Sequence, residues 1–129
     1  MTNTTRCCLI VEDAEVDRRM MRRVFSRQYP RMPLLFAHSL AEARHKLATE
    51  HVAIIFLDNA LPDGRGVDFV AELAGDARFR ALPVILVSDW PSPFMYAKAR
   101  AANVRAIWSK SDFRDGSVRR AVRTHALSA

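Results

Sequence analysis

Asp58 closes the apolar run Ile54-Ile55-Phe56-Leu57 and is followed by Asn59-Ala60-Leu61-Pro62-Asp63-Gly64. A run of that length and character reads as a buried strand. The carboxylate therefore stands where the strand surfaces, and Leu-Pro-Asp-Gly turns the chain just beyond it. A second apolar stretch, Leu9-Ile10-Val11, ends in Glu12-Asp13. In an open α/β sheet, chemistry collects outside the carboxyl ends of the strands. Two strands that each deliver acid to that edge point to a shared cation site, with Asp58 as a candidate nucleophile. Three uncompensated carboxylates repel one another and raise their pKa values. A hard cation relieves that, and Mg²⁺ suits a site with few carboxylates that keeps several waters. The competing reading is that Glu12-Asp13 only caps the helix that follows, where acids favour the N-terminus. Capping accounts for one acid but not for a third at another strand end.

Two further apolar stretches end in polar chemistry, at Val87-Ser88-Asp89 and at Trp108-Ser109-Lys110. Singly, Ser88 is a turn residue and Lys110 a surface cation. With the acids they form an inventory suited to phosphoryl transfer: Asp58 attacks phosphorus, the metal and Lys110 hold the non-bridging oxygens, and Ser88 donates a hydrogen bond.

The elements that must position these groups alternate regularly. The pattern predicts strands over Cys7–Val11, Leu34–Ala37, Val52–Leu57, Pro83–Val87 and Val104–Ser109. Between them it predicts helices over Glu15–Gln28, Leu40–Thr49, Val67–Ala74, Pro93–Ala102 and Asp112–Ala126. Ser39 with Glu42 forms a capping box, Ser92-Pro93 puts proline at the first helical position, and Gly75 and Asn103 are stops. Five βα units imply a parallel sheet with helices on both faces. The expected fold is α/β, a doubly wound five-stranded sheet of order 2-1-3-4-5, which sets the first strand beside the third and brings Glu12, Asp13 and Asp58 together. Residues 1–129 are expected to form one domain, with no linker, repeat or second module.

At 50% hydrophobic over 129 residues, the chain has enough apolar material for a core. No run approaches the ~18 apolar residues of a membrane span, and the polar start Met1-Thr2-Asn3-Thr4-Thr5-Arg6 is no signal peptide. The only cysteines, Cys7 and Cys8, are adjacent. That usage fits a reducing cytosol, so the expected location is cytoplasmic. The net charge of +6 draws on Arg18, Arg19, Arg22, Arg23, Arg27 and Arg31 and on Arg119, Arg120 and Arg123. Such a balance favours nucleic acid or an acidic protein, or is simply a solvated helix face. No interleaved aromatics or nucleic-acid motif accompany it, so nucleic acid is not expected as a partner. His38, His45, His51 and His125 show no metal-ligand spacing.

Together these residues resemble the response regulator receiver domains of two-component signalling, over essentially the whole chain. The resemblance rests on the acidic pair after the first strand, Asp58 after the third, Pro62 with Asp63-Gly64, and Ser88 and Lys110 at the fourth and fifth strand ends. It implies a flavodoxin-like fold and a phosphoacceptor at Asp58 that takes phosphate from a histidine kinase or a histidine phosphotransfer protein. It implies Mg²⁺ bound by one acid of the pair, Glu12 or Asp13, and by Asp58, with the main-chain carbonyl of Ala60 as a further ligand. Glu12 is expected to act mostly through water. No output domain is expected, so the chain would be a stand-alone receiver that relays phosphate or signals to a downstream protein by contact. Such a receiver is expected to catalyse only its own phosphorylation and dephosphorylation.

The chain departs from that family at two places. Ile107 stands where the family carries Tyr or Phe, and Trp108 follows it; a one-residue shift along a strand points a side chain to the opposite face. Trp108 is therefore expected in the core rather than as a switch. Ser111 stands where proline is common, and a cis bond before serine would cost about 3 kcal/mol, so Ser111 or Asp112 is expected to cap the last helix instead. Trp90, two residues after Ser88, either screens the phosphoryl group or packs on its loop. Among other classes, a haloacid dehalogenase-type phosphatase needs an acid where Ala60 stands, and Glu12-Asp13 would repel a flavin phosphate. A degenerate receiver used only as a binding module is the main alternative.

Overall fold

The computed structural model describes residues 5–127 of the chain. The polar start over residues 1–4 lies outside the described residues, as do the last two positions. The described residues form seven strands and five α-helices, in chain order β1 (Cys7–Val11), α1 (Glu15–Gln28), β2 (Leu34–Ala37), α2 (Leu40–Thr49), β3 (Val52–Asp58), β4 (Ala60–Leu61), β5 (Gly64–Arg65), α3 (Gly66–Ala74), β6 (Val84–Val87), α4 (Pro93–Ala101), β7 (Val104–Trp108) and α5 (Asp115–Ala121). Five of the strands form one parallel sheet in the order β2-β1-β3-β6-β7. This is the expected 2-1-3-4-5 order once the small β4-β5 ladder is set aside.

The alternation of strand side chains divides the core into two layers. Leu9, Val11, Ile55, Leu57, Val84 and Leu86 pack with α2, α3 and α4. Cys8, Ile10, Ile54, Phe56, Ile85 and Val87 pack with α1 and α5. The near-continuous burial of β1, β3 and β6 reflects cover on both faces. Both cysteines are buried and free. No helix among the described residues is long and apolar enough to cross a membrane.

Several boundaries differ from expectation, each for a local reason. β3 runs one residue further, so Asp58 itself occupies the last ladder position, opposite Val87. Pro83 lacks an N–H and stays outside β6, although its carbonyl accepts from Ile55 N–H at 3.0 Å. The last helix is broken into three windings rather than one. Ser109 and Asp112 close a reciprocal capping box around a single 3₁₀ turn over Lys110–Asp112, α5 starts only at Asp115, and a π-type winding follows over Val122–Leu127. Neither Ser111 nor Asp112 caps the last helix: Asp112 pairs with Ser109 across the 3₁₀ turn, Ser111 meets the Ser109 hydroxyl at 2.8 Å, and α5 starts after Arg114 with no side-chain cap. Ser39 caps α2 by accepting from Glu42 N–H at 3.1 Å. The same helix receives a second cap from the β4-β5 turn: Asp63 accepts from the N–H groups of Leu40 and Ala41 at 2.8 and 2.9 Å.

Candidate functional site

Glu12, Asp58 and Lys110 reach one place because they share strand parity with residues of the α1/α5 layer. Glu12 continues the face of Cys8 and Ile10, Asp58 that of Ile54 and Phe56, and Lys110 that of Ala106 and Trp108. Asp13 follows Glu12 around the turn into α1. Ligand-capable oxygens of Glu12, Asp13 and Asp58 lie within 4.8 Å of one another, as the sequence predicts. Capping does not account for the cluster: Ala14 is the N-cap of α1 with no side-chain cap bond, and Glu12 Oε2 accepts only a long bond from its N–H, at 3.5 Å.

Burial grades the three acids. Glu12 is 0% exposed and Asp58 7%, whereas Asp13 faces solvent. Burial, then the hydrogen bond and charge of neighbouring Asp58, push the Glu12 carboxyl up to about 8, against the opposing pull of Lys110. Glu12 Oε1 sits 3.1 Å from the Lys110 ammonium, but it makes no aligned hydrogen bond. We read this contact as a charge contact rather than a satisfied acceptor. Asp58 Oδ1 accepts weakly from Ala60 N–H at 3.3 Å, which places Ala60 beside the acid at the exposed mouth of the site.

Lys110 is anchored at its root. Its N–H donates to Asp89 Oδ1 at 2.8 Å, and the neighbouring Ser88 N–H donates to the Trp108 carbonyl at 2.7 Å. These bonds tie the loop after β6 to the loop after β7 and keep Ser88, half-buried, at the same edge as Lys110. The Lys110 ammonium donates to Asp17 Oδ2 at 2.5 Å. Partial burial disfavours its charge, but the hydrogen bond to Asp17, the adjacent Glu12 carboxylate and the field of Asp58 outweigh that and hold its pKa above the ordinary lysine range.

Three residues at this edge escape the sequence reading. Asp17 resembles any acid in a first helical turn. Arg18 reads as part of a charge run. Its guanidinium in fact donates to the carbonyls of Glu12 and Asp13 at 3.0 and 2.7 Å and fixes the acidic turn. Asp89 reads as turn polarity and instead anchors Lys110. The loop after Asp58 is held by Asn59, whose carbonyl accepts from Gly66 N–H at 2.9 Å and whose side chain accepts from Val67 N–H at 3.0 Å. Gly66 allows that approach, since a Cβ there would fall 2.5 Å from the Asp58 carbonyl oxygen. Gly64, with φ of 152°, supplies the backbone geometry of the β4-β5 turn.

Ile107 and Trp108 face opposite layers, as their spacing predicts. Trp108 packs on Phe56 and Phe113 with ring centroids 5.5 and 6.2 Å away, and Ile107 packs on the other layer. Trp90 is 91% exposed, so it does not pack on its loop.

This constellation, on this sheet, defines a class. The response regulator receiver domain model matches residues 8–122, and the chain belongs to that family. It is 35% identical over 88 residues to the KDP operon transcriptional regulatory protein KdpE of Escherichia coli, covering 68% of this chain and 35% of that protein. The chain spans about a third of the length of the curated relatives it matches. Among solved structures it is similar to a two-component response regulator from Legionella pneumophila, with a TM-score of 0.81, 24% identity and coverage of 92% and 95% of the two chains. It is also similar to the Mn²⁺-bound form of response regulator Rcp1, with a TM-score of 0.79, 18% identity and coverage of 95% and 96%. At these identities the structural likeness speaks to the fold.

Proposed function

We propose that this chain accepts a phosphoryl group on Asp58 from a phosphohistidine, carried by a histidine kinase or a histidine phosphotransfer protein. The observation that carries the reading is the convergence of Glu12, Asp13 and Asp58 within 4.8 Å, beside the Lys110 ammonium. A carboxylate oxygen of Asp58 attacks phosphorus. The new P–O bond forms as the donor's P–N bond breaks, and the electron pair of that bond leaves with the imidazole nitrogen. Lys110 offers an ammonium to the non-bridging oxygens, and Ser88 offers its hydroxyl.

The residues present fit Mg²⁺. Glu12 Oε1 is a buried oxygen without a hydrogen-bond partner, and burial, followed by the nearby Asp58, raises the Glu12 pKa even against the pull of Lys110. Asp13, Asp58 and the main-chain carbonyl of Ala60 would hold the ion directly, with Glu12 supporting through water. The bound ion supplies positive charge that offsets the carboxylates and the phosphoryl oxygens. The Mn²⁺-bound Rcp1 structure supports this chemistry on the same fold.

On this reading the receiver relays phosphate or signals by protein contact. A phosphotransfer assay from a radiolabelled phosphohistidine protein tests it. Label should pass to the parent chain with Mg²⁺ and fail to pass to Asp58→Asn, which keeps the shape but removes the nucleophile. Equal labelling of both would remove Asp58 from the role. No labelling of the parent by any donor, with partner binding intact, would favour a degenerate receiver acting as a binding module.

A further inference from the structure

Lys110 is committed to two acids before any phosphoryl group arrives. Its ammonium lies 3.1 Å from Glu12 Oε1 and 2.5 Å from Asp17 Oδ2, and among the described residues it has no ion pair with Asp58. The closer partner sits on α1, the helix beside the acceptor strand rather than the strand itself. With its root fixed by Asp89, only the Lys110 side chain is free to redirect. The pair is neither loose nor sealed, with Lys110 28% and Asp17 24% exposed at their side chains.

Resting on the phosphoacceptor reading above, we propose that Asp17 is a positioning residue that holds the Lys110 ammonium on the α1 side of the site until a phosphoryl group on Asp58 displaces it. Two effects of Asp17 share a sign. Its carboxylate competes with phosphoryl oxygens for one of the three ammonium N–H donors. Its charge also adds to the field of Glu12, Asp13 and Asp58 that opposes another anion. Asp17 therefore favours the unphosphorylated state and makes it easier to lose the phosphoryl group than the other residues of the site alone would.

The test is titration of the Mg²⁺-loaded chain with beryllofluoride, a phosphoryl mimic, followed by tryptophan fluorescence. The variants are Asp17→Asn, which removes charge with little change of shape, Asp17→Ala, and Asp17→Glu, which restores the charge. Asp17→Asn and Asp17→Ala should bind beryllofluoride more tightly by roughly two- to fivefold, the range expected for releasing a partly exposed ion pair. Asp17→Glu should return toward the parent, and thermal melts confirm the fold of each. A merely structural Asp17 would not give tighter binding on removal. Unchanged or weaker binding in both uncharged variants would overturn the inference, the latter because Asp17 would then be aiming the lysine at the phosphoryl group. Failure of the parent itself to bind beryllofluoride would instead overturn the phosphoacceptor reading, and the inference with it.

Discussion

Glu12 is the residue at which burial and charge conflict most directly. Its folded pKa of about 8 stands above the ordinary 4.5, so the fold favours its neutral form. The stability it contributes is fully present below about pH 4.5 and is lost as pH rises through about 8. The metal-free protein should therefore melt at progressively lower temperature across that window. Mg²⁺ should restore most at the alkaline end, and Glu12→Gln should flatten the dependence; melts of parent and variant in chelator and in Mg²⁺ check this. A parent curve that matches Glu12→Gln would contradict the assignment. Trp90 makes the opposite case, since so exposed a ring contributes little to packing. Trp90→Ala should leave stability within about 0.5 kcal/mol by denaturant titration, and a faster decay of its phosphoaspartate would assign the indole to screening. Asp58, Glu12, Asp13, Ser88 and Lys110 were legible because each closes an apolar run. Asp17 and Asp89 were not, because their partner Lys110 is distant in the chain: one acid in a helix start looks like the next until the lysine it holds is placed. Arg18 was hidden within a charge run, although the carbonyls it holds lie just upstream.

The elements act on the site through close approach and through α1. Gly66, at the start of α3, lets the chain pass the Asp58 carbonyl, where an added Cβ would stand 2.5 Å away. Gly66→Ala should destabilise by about 1–3 kcal/mol, as overpacking against backbone does, and should slow phosphorylation, because the displaced atoms belong to the acceptor; equilibrium unfolding and acetyl phosphate kinetics measure the two. The arginines of α1 are less free than their charge suggests. Arg18 fixes the acidic turn, Arg19 pairs with Glu15, Arg22 lies 5.0 Å over the Phe36 ring, and Arg27 pairs with Asp115. Arg22 and Arg23 remain the candidates for steering an acidic donor. Charge reversal at both should slow transfer from a donor protein, more so at low salt, and spare acetyl phosphate. Equal slowing with both donors would indicate a damaged fold. Periodicity placed α1 and α2 at their observed bounds, while the last helix was misjudged. Its apolar spacing continues through Phe113 and Val118, whereas the backbone leaves the helical region at Phe113 and Arg114, a break that no period in the sequence marks.

At the scale of the whole molecule, the strand order was legible because five apolar runs alternating with five helical patterns leave few topologies. The division into layers followed from parity, which also sent Ile107 and Trp108 to opposite sides. With Ile107 in place of an aromatic, the shift between states should run through Ser88 and its loop toward α4, where Met95 is buried while Phe94 and Tyr96 are exposed. Chemical shifts with and without beryllofluoride should change around Ser88–Trp90; large changes centred on Ile107 with none there would contradict that route. All of this depends on one event, the arrival of a phosphoryl group on Asp58. Intact-mass and peptide-mapping mass spectrometry after incubation with acetyl phosphate, with Mg²⁺ or with chelator, tests that event most directly. The account predicts a single phosphoryl adduct on the peptide containing Asp58, formed with Mg²⁺, suppressed by chelator and absent from Asp58→Asn; an unmodified parent chain, or an adduct that persists in Asp58→Asn, would contradict it.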